Sequence, residues 1–398
     1  MRLRSCLQMP DQATFPVGAA VTLGELDRDP HPVLAQLREV EPASWLPALD
    51  GWLLTRHDLA LRAMRDFETF TVDDPRFSTA QVIGPSMLSL DGNEHARHRA
   101  AFAAPFRPAQ VRRRFADATE LAVNALIDRL GPSGGTELRR AFAGPLATSI
   151  VARVLGLGET EVETVLAWYD AIVASVTSIT AGKGRTVEGE EAFAALSERL
   201  QEVIEGGDSA SLLAAAAADS DLAAERIISN AAVLLFGGIE TTEGMIANAV
   251  LALLERPDQL DLVRHEPGLV DLALEESLRL EPAAAVIDRY ATADVQLAGA
   301  QIAAGELVRI SITAVNRDPA VFRDPDSFDL ARGGARGHIA FAHGPHVCVG
   351  IHLARLEACV ALATLVTRLP RLRLDSERPA AVRGLVFRKP PELRVLWD

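Results

Sequence analysis

Residues 341–350 read Phe-Ala-His-Gly-Pro-His-Val-Cys-Val-Gly and stand at the start of a helical pattern that we predict over residues 349–368. Unpaired amides and the positive end of the dipole at a helix N-terminus stabilise a thiolate, so we expect this position to lower the pKa of Cys348. Gly344 and Gly350 lack a Cβ, which lets the backbone curl beneath a flat ligand. An isolated cysteine is usually a small buried apolar residue, and the alternative at this position is a thiolate, which can bind a metal ion such as iron.

Helical periodicity fills most of the chain before this stretch. It predicts helices at residues 58–65, 93–104, 108–130, 137–155, 159–178, 187–205, 223–255, 258–265 and 268–280. The pattern WLPALDGWLLT, residues 45–55, predicts two short strands around the turn dipeptide Asp50-Gly51. Alternating runs after Pro282 predict a second small sheet, and the Asp- and Pro-rich residues 316–337 predict an ordered functional loop.

The composition narrows the classes of function. A formal charge of -14 disfavours binding to nucleic acid and to anionic lipid. Three cysteines, Cys6, Cys348 and Cys359, are too few for a disulfide framework and indicate a reducing compartment. No export signal is predicted, and the most apolar span, residues 231–254, is interrupted by Gly237, Gly238, Glu240 and Glu243, which argues against a membrane helix. No linker-like run divides the chain, so we expect one domain over residues 1–398.

Two pairs of charged residues share a helix face. Glu276 and Arg279 are three residues apart, a spacing that is common for solvated surface pairs. His95 and Arg99 are one helical turn apart and point to the same side. By itself the second pair describes either a solvated basic face or a site for carboxylate groups.

The segment LLFGGIETTEG, residues 234–244, combines small and acidic residues in the middle of a predicted helix. Gly237-Gly238 weakens the regular backbone ladder, so we expect a kink or a local widening just before Glu240 and Thr241. The alternative is close helix packing through the two glycines, with an exposed acid.

The spacing Phe-x-x-Gly-x-His-x-Cys-x-Gly at residues 341–350 resembles the haem-binding loop of the cytochrome P450s. That family usually has Gly directly after the Phe, where this chain has Ala342, so the first turn of the loop is expected to differ slightly. The resemblance implies a b-type haem with iron bound by Cys348. It also implies a mainly α-helical fold with small β-sheets, a triangular prism of helices that encloses the haem.

The resemblance assigns further roles residue by residue, and the matching segments run in a consistent order from about residue 91 to the last helix. Glu240 and Thr241 stand where the family has the acid and the alcohol that supply protons for dioxygen activation. Glu276 and Arg279 resemble a structural pair that an arginine of the following loop completes, here Arg332. The residues implied to contact the haem are His95, Arg99, Gly237, Gly238, Arg289, Phe341, His346, Cys348 and Gly350.

A mostly apolar substrate pocket is implied by position relative to the family. Its predicted lining is Val82, Ile83, Met87, Leu88, Val233, Phe236, Gly237, Ala285, Val286, Val386 and Phe387, each of which is equally compatible with plain core packing. We expect a compact lipophilic substrate, either a natural-product intermediate or an aromatic compound. Arg76 is a candidate contact for a substrate carboxylate, with an ordinary surface arginine as the alternative.

The implied activity is a monooxygenase that inserts one oxygen atom of O2 into the substrate. Electrons are expected from a separate acidic ferredoxin and its reductase, because no flavin or iron-sulfur segment is visible in the sequence. The predicted docking cluster consists of Arg112, Arg113, Arg114, Arg336, His343, His352 and Arg355. We expect a cytoplasmic monomer. The alternatives are peroxide-driven oxygenation, phenol coupling or desaturation on the same scaffold and, more distantly, a haem sensor without turnover.

Overall fold

The fold is described by a computed structural model over residues 14–158, 160–180, 182–206, 211–332 and 335–398, so Cys6 lies outside the described residues. Helices dominate. The first eight are α1 (Pro16–Ala20), α2 (Leu23–Arg28), α3 (His31–Val40), α4 (His57–Arg65), α5 (Ser78–Ile83), α6 (Gly92–Ala103), α7 (Pro108–Leu130) and α8 (Gly144–Leu155). They are followed by α9 (Val162–Thr180), α10 (Val187–Glu205), α11 (Leu212–Asp219), α12 (Ala224–Leu254), α13 (Pro257–His265), α14 (Val270–Leu280), α15 (Ile312–Val315) and α16 (Ile351–Arg368).

The strands are short and form three small sheets within the described residues. They are β1 (Ala43–Leu46), β2 (Gly51–Leu54), β3 (Phe70–Thr71), β4 (Gly135–Glu137), β5 (Val286–Ala291), β6 (Val295–Leu297), β7 (Ala300–Ile302), β8 (Leu307–Ser311), β9 (Arg373–Leu374) and β10 (Arg394–Leu396). The largest sheet has the order β1-β2-β8-β5-β3, in which only β2 and β8 run parallel. The others are β4-β10-β9 and the hairpin β6-β7.

The predicted hairpin around Asp50-Gly51 is present, with Trp45 opposite Trp52 in the antiparallel register. A 3₁₀ turn, Pro47–Leu49, connects the strands, and Asp50 takes a left-handed φ of 47°. The helices α1, α2 and α3 before it were not predicted. They are short, and α2 depends on a capping box between Thr22 and Glu25 rather than on a long periodic face.

The predicted helix over 137–155 is wrong at its beginning. Gly135–Glu137 forms β4, which pairs with β10 at the far end of the chain, and one π-helical turn, Arg139–Ala143, precedes α8. A strand held by a partner more than 250 residues away has no local signal in the sequence. The π-helical turn matters for the site because it carries the buried side chain of Arg139.

The long helix α12 runs through the main apolar core together with α8, α14 and α16. The expected local widening at Gly237-Gly238 is wrong, because α12 is α-helical throughout, whereas the alternative expectation of a kink stays a prediction. A Cβ on Gly238 would lie 2.9 Å from Val151 of α8, so close helix packing explains this glycine. A Cβ on Gly237 would meet nothing within 4 Å, and this face of the helix is exposed within an otherwise buried element.

Glu276 and Arg279 are fully buried on α14, unlike a surface pair. Arg279 donates to both carboxylate oxygens of Glu276 at 2.8 Å and to backbone carbonyls of the loop after α15, including those of Asn316 and Ser327. Arg332 of that loop donates to Glu276 Oε1 at 2.8 Å, so the structure brings the three predicted residues together. Their contacts order the loop predicted at residues 316–337.

One helix of the described residues, α9, is long and apolar enough to cross a membrane by length and composition. In this structure α9 packs against α5, α8 and α10.

Candidate functional site

The segment 341–350, called here the thiolate loop, ends where α16 begins. The Cys348 N–H donates to the Phe341 carbonyl at 2.9 Å, which closes the loop, and Gly350 is the N-cap of α16. Backbone amides of Gly350 and Ile351 point at the sulfur. The Cys348 side chain is exposed, yet protein surrounds it closely, as expected for a residue on the wall of a concave space. Its sulfur is therefore available to a ligand from one side.

The pKa of the Cys348 thiol is raised, contrary to the sequence-based expectation. Burial raises it, and this effect outweighs the amides of Gly350 and Ile351 and the positive charges of Arg99 and Arg355, which lower it. The helix N-terminus acts in the expected direction but is the smaller contribution. A bond to a metal ion deprotonates a thiol outright, so the raised pKa is compatible with iron binding.

Two residues of the thiolate loop have left-handed backbone. Gly344 has φ 76°, and a Cβ there would lie 2.6 Å from the Met64 carbonyl of α4, so only glycine fits. Ala342 has φ 61°. A glycine, which the family usually has here, would adopt this conformation without strain, so the alanine carries an energetic cost.

Phe341 is held by an ion-paired arginine. The Arg355 guanidinium lies 4.8 Å from the centroid of the Phe341 ring and donates to the carboxylate of Glu275 at 2.6 and 2.8 Å. His338 Nε2 lies 3.4 Å from the same carboxylate. Burial raises the pKa of Glu275, but hydrogen bonds and charges from His338 and Arg355 outweigh it and bring this pKa to about 2. Glu275 thus stays ionised and fixes the arginine against the loop.

The loop's second histidine is tied to the start of α6. His346 Nε2 lies 2.7 Å from Asp91 Oδ1, and Thr71 Oγ1 and the Val72 N–H donate to Asp91 Oδ2 at 2.6 and 2.8 Å. The His95 ring stacks against His346 with centroids 4.2 Å apart. Burial, together with the nearby charges of His346 and Arg99, lowers the pKa of His95 to about 4. Asp91, which the sequence reading did not identify, organises both predicted haem-contacting histidines.

Buried hydrogen-bond donors without a partner occur among the residues predicted to contact a cofactor. His95 Nε2 and Arg289 Nη2 are both of this kind, although both side chains are buried. The Arg289 pKa is lowered to about 10, by burial above all, while Asp91 and Asp288 raise it. The half-buried Arg99 acts electrostatically on Cys348. Unpaired buried donors are costly, so they indicate that an anionic group belongs beside them. A haem, with two carboxylates and one iron, fits this set of residues and Cys348.

On α12 the predicted acid and alcohol make different contacts. Thr241 Oγ1 donates to the Gly237 carbonyl at 2.6 Å, on the exposed face of the helix. The Glu240 carboxylate accepts from Tyr169 Oη at 2.5 Å and pairs with Lys389 Nζ at 2.7 Å. Neither partner was found from the sequence, because nothing near residues 169 or 389 marks them as neighbours of residue 240.

Lys389 also lies 3.1 Å from Glu243 Oε2, and Arg139 Nε donates to Glu243 Oε1 at 2.7 Å. We call Arg139, Tyr169, Glu240, Glu243 and Lys389 the Glu240 cluster. It joins α9, α12, the π-helical turn and the C-terminal segment. Each carboxylate in it has at least one cation, so the cluster is electrically paired.

Part of the predicted pocket lining comes together at a turn over residues 383–389. Ala285 N–H donates to the Val386 carbonyl at 2.8 Å, and Phe387 bridges to Ala284. The Phe387 ring lies 6.1 Å from that of Phe236 on α12. Ala285 and Val286 also border a small cavity on the side of α2 and α3.

The other predicted lining residues pack into the main apolar core, with Leu88 and Phe236 only partly buried at its edge. The members that are more fully buried are Val82, Ile83, Met87 and Val233. Val386 differs from all of them, because 42% of its side chain is exposed. Arg76 donates to both carboxylate oxygens of Asp74 at 2.8 Å and lies over the Tyr290 ring, so its charge already has a partner.

Known proteins resemble this chain over almost its whole length. The sequence model for cytochrome P450 matches residues 198–395. Nocardicin C N-oxygenase of Nocardia uniformis subsp. tsuyamanensis is 37% identical, over 97% of this chain and 99% of that protein. Cytochrome P450 monooxygenase PikC of Streptomyces venezuelae is 33% identical, over 93% and 92% of the two chains.

Solved structures give the same result. The crystal structure of P450BioI in complex with an acyl carrier protein ligated to hexadec-9Z-enoic acid matches with a TM-score of 0.84 and 29% identity, over 93% of this chain and 99% of that chain. The resemblance first noted in residues 341–350 therefore extends to the whole fold. We conclude that this chain belongs to the cytochrome P450 family and is a haem-dependent monooxygenase.

Proposed function

We propose that Cys348 binds the haem iron and that His95, Arg99, Arg289 and His346 surround the haem carboxylates. The observation that carries this proposal is the pair of buried, unpartnered donors on His95 and Arg289, on a molecule whose Cys348 sulfur is accessible. We further propose that Phe341 and Gly350 of the loop, and Gly237 and Gly238 of α12, lie near the two faces of the haem. Haem supplies the oxidising chemistry when bound, and the protein supplies position and electrostatics.

We propose that Glu240 and Thr241 manage the protons that the reaction needs. The Thr241 hydroxyl is on the exposed face of α12 and is oriented by the Gly237 carbonyl, which leaves its oxygen free to accept a further hydrogen bond. Glu240, the residue before it, exchanges protons from within an ion-paired cluster that is largely shielded from solvent. The Glu240 carboxylate is thus adjacent in sequence to Thr241 but contacts Tyr169 and Lys389, whereas the Thr241 hydroxyl lies on the exposed face of α12.

We propose a compact lipophilic substrate. Support comes from the aromatic pair Phe236 and Phe387 and from the apolar residues predicted around them. Two relatives bear the printed names nocardicin C N-oxygenase and 20-oxo-5-O-mycaminosyltylactone 23-monooxygenase, which favours the tailoring of a natural product over the oxidation of a simple aromatic compound.

We propose that electrons come from a small acidic ferredoxin. Arg112 and Arg113 are exposed on α7, and Arg336 is exposed near the loop, whereas Arg355 is already paired with Glu275 and serves the loop instead. Reversing the charge at Arg113 is expected to slow reduction and to weaken its dependence on salt. A reduction rate that ignores both changes would exclude docking at this surface.

We propose that residues 1–398 form one domain that works as a monomer in the cytoplasm, without nucleic acid or a membrane as a partner. The charge of -14 supports the last part, since it repels polyanions and anionic lipid.

The proposed ligand is tested by the difference spectrum of the reduced protein with carbon monoxide. Thiolate ligation is expected to move the main band far to the red, and imidazole ligation is not. A screen of lipophilic compounds for the change in spin state then identifies ligands of the pocket.

The proton role is tested with Thr241→Ala, with Thr241→Ser as the matched control. The ligand with the largest spin-state change serves as substrate. We expect the alanine variant to form less product per electron consumed and to release more hydrogen peroxide, while serine keeps the coupling because it keeps the hydroxyl. Full coupling in the alanine variant would refute this role.

A further inference from the structure

The carboxylate of Glu240 is held from two sides by groups that are far away in the sequence. Tyr169 of α9 donates its hydroxyl to Oε2 at 2.5 Å, and the ammonium of Lys389 lies 2.7 Å from Oε1. The side chains of Glu240 and Lys389 are 15% and 13% exposed, so the ion pair is largely shielded from solvent. A contact of this length in a shielded place is strong enough to fix the rotamer of the acid.

The position of Lys389 is itself fixed by its backbone. The amide and carbonyl of Lys389 exchange hydrogen bonds with those of Arg383, at 3.0 and 3.1 Å, which closes the turn 383–389. Gly384 has φ 113°, and a Cβ there would overlap the Phe387 carbonyl, so the turn depends on this glycine. Arg139 donates to the carbonyls of Pro390 and Pro391 just beyond the turn. Lys389 is therefore presented to Glu240 by a preformed segment.

The same segment carries a residue of the predicted substrate pocket. Phe387 is two residues before Lys389, and its ring belongs to a row in which neighbouring centroids are 6.1 Å apart, Phe387 to Phe236 and Phe236 to Tyr169. Tyr169 is thus one end of an aromatic row beside the proposed pocket, and Lys389 follows the ring at the other end by two residues along the chain.

We propose that Lys389 and Tyr169 are positioning residues for Glu240, which hold its carboxylate in one orientation and supply its contacting positive charge, so that their loss changes the pH dependence of product formation. This inference rests on the proposed function, because it presupposes that Glu240 serves proton delivery. It concerns residues of α9 and of the C-terminal turn that neither the sequence motif nor the comparisons single out.

The direction of the effect follows from the charges that face Glu240. Lys389 is the nearest cation, Glu243 is a like charge one turn away that is shared between Lys389 and Arg139, and Tyr169 donates a hydrogen bond. Burial and the charge of Glu240 raise the pKa of Tyr169, so the phenol remains a donor. Without Lys389, Arg139 still pairs with Glu243, but Glu240 loses the cation that contacts it and keeps a like charge one turn away. A carboxylate in these surroundings binds a proton more readily, so we expect the acid limb of the activity profile of Lys389→Met to move to higher pH.

The experiment compares four variants of the haem-loaded protein, Lys389→Met, Lys389→Arg, Tyr169→Phe and Glu240→Gln. Product formed per electron consumed is measured from pH 5 to 9 with the ligand that gave the largest spin-state change. For Lys389→Met we expect the acid limb of this profile to move up by about one pH unit. Lys389→Arg is expected to restore the wild-type profile because it keeps the charge, and Tyr169→Phe is expected to move the limb less, in the same direction.

A second readout needs neither substrate nor turnover. The midpoint temperature of unfolding of the haem-loaded protein is measured over the same pH range in a double-mutant cycle of Lys389→Met and Glu240→Gln. We expect Lys389→Met to lower the midpoint more at pH 8 than at pH 5, since it leaves an ionised acid unpaired. In the Glu240→Gln background most of this difference is expected to disappear.

Two results would overturn the proposal. One is a wild-type pH profile in Lys389→Met, and the other is an effect of Lys389→Met that persists undiminished when Glu240 is already glutamine. The failure of the proposed function looks different, because Glu240→Gln itself would then keep full coupling. If Glu240→Gln loses coupling while Lys389→Met and Tyr169→Phe keep the wild-type profile, only the positioning role is refuted.

Discussion

The thiolate loop and the Glu240 cluster each hold one side chain with a proposed role in the reaction, but they draw their contacts from different distances along the chain. Cys348 is positioned by Phe341, Gly350 and Ile351, all within ten residues of it. Glu240 is positioned by Tyr169 and Lys389, one on a helix well before it and one near the C-terminus. The contacts of Cys348 all come from one short motif, whereas those of Glu240 form only when distant parts of the chain come together.

Because of this difference, we expect the two sites to respond differently to single substitutions. A loop whose geometry comes from its own backbone keeps its shape as long as its left-handed positions are tolerated. A cluster of buried charges keeps its shape only while every partner is present, since a single unpaired ion in the interior is expensive. The predictions below test this contrast, beginning with the largest expected effect.

Replacing the sulfur of the loop is expected to remove the chemistry altogether. In Cys348→Ser we expect the red-shifted band of the reduced carbon monoxide complex to vanish and monooxygenase turnover to be abolished, because a thiolate ligand is lost. Absorption spectroscopy and product analysis check this. Cys359→Ser is the matched control, with an unchanged band, because Cys359 Sγ donates to Asp271 on α14 instead of facing the proposed haem. An unchanged spectrum in Cys348→Ser would refute the assigned ligand.

Breaking the cluster at its most buried ion pair is expected to cost folding stability. Arg139 and Glu243 are 8% and 7% exposed, so Arg139→Ala leaves a buried carboxylate short of a partner. We expect the free energy of unfolding to fall by about 3–5 kcal/mol. Denaturant titration measures it, with the exposed neighbour in Arg140→Ala as control, expected to stay within about 0.5 kcal/mol. A loss below about 1 kcal/mol for Arg139→Ala would mean that the cluster does not depend on all its members.

The Glu275 carboxylate, which holds Arg355 against the thiolate loop, is expected to make the stability of the protein depend on pH in the acid range. The pKa of Glu275 is about 2 in the folded protein against an ordinary value of 4.5, so its contribution is fully present above about pH 4.5. As the pH falls from there toward 2, the unfolded chain binds the proton first and stability is lost, by up to about 3 kcal/mol.

The variant Glu275→Gln tests the predicted loss of stability as the pH falls. We expect the variant to be less stable than the wild type at pH 7 and to lose less of its remaining stability between pH 5 and pH 3. Unfolding free energies at each pH measure the two slopes. Glu39→Gln, at an exposed acid of α3, serves as control and is expected to keep the wild-type slope. Parallel curves for the wild type and Glu275→Gln would contradict the role of this acid.

The smallest expected effect is an increase in the stability of the folded protein. Ala342 has φ 61°, and a left-handed alanine costs roughly 1–2 kcal/mol, so Ala342→Gly is expected to stabilise the protein by about 0.5–1 kcal/mol after the added freedom of the unfolded chain is subtracted. Ala298→Gly, at φ 48° in the β6-β7 hairpin and outside the site, is expected to gain similarly. Ala340→Gly is expected to lose stability, since that alanine is not among the left-handed residues. A loss in Ala342→Gly would show that the loop is not strained there.

Much of the helical framework could be predicted from local pattern. The bounds of α7 and α10 agree with the periodicity at both ends, and those of α12 agree to within one residue. The errors at residues 135–143 occur where contacts with distant residues determine the local structure. Residues 135–137 form a strand because β10 lies beside them, and the π-helical turn that follows faces Glu243 with Arg139. Helix periodicity contains no information about either contact.

The site divides in the same way. The motif predicted Cys348 as the ligand, and the resemblance to the family, followed residue by residue, predicted the roles of Glu240, Thr241, His95 and Arg99. The sequence did not lead to Asp91, whose carboxylate receives His346, Thr71 and the Val72 amide. An aspartate directly before a helix is ordinarily read as a cap, but the Asp91 side chain makes no capping hydrogen bond to α6 and instead contacts His346, a residue 255 positions later.

The sequence alone indicated the family of this protein, because the spacing of Phe, Gly, His, Cys and Gly at residues 341–350 resembles that of the cytochrome P450 haem-binding loop. It also determined most helices, since their apolar faces repeat within one element. Tertiary structure alone decided which charges surround the acid on α12, how burial raises the pKa of Cys348, and which apolar residues meet at the turn 383–389. Desolvation and ion pairing depend on atoms that are close in space, and closeness in space is what a linear pattern does not record.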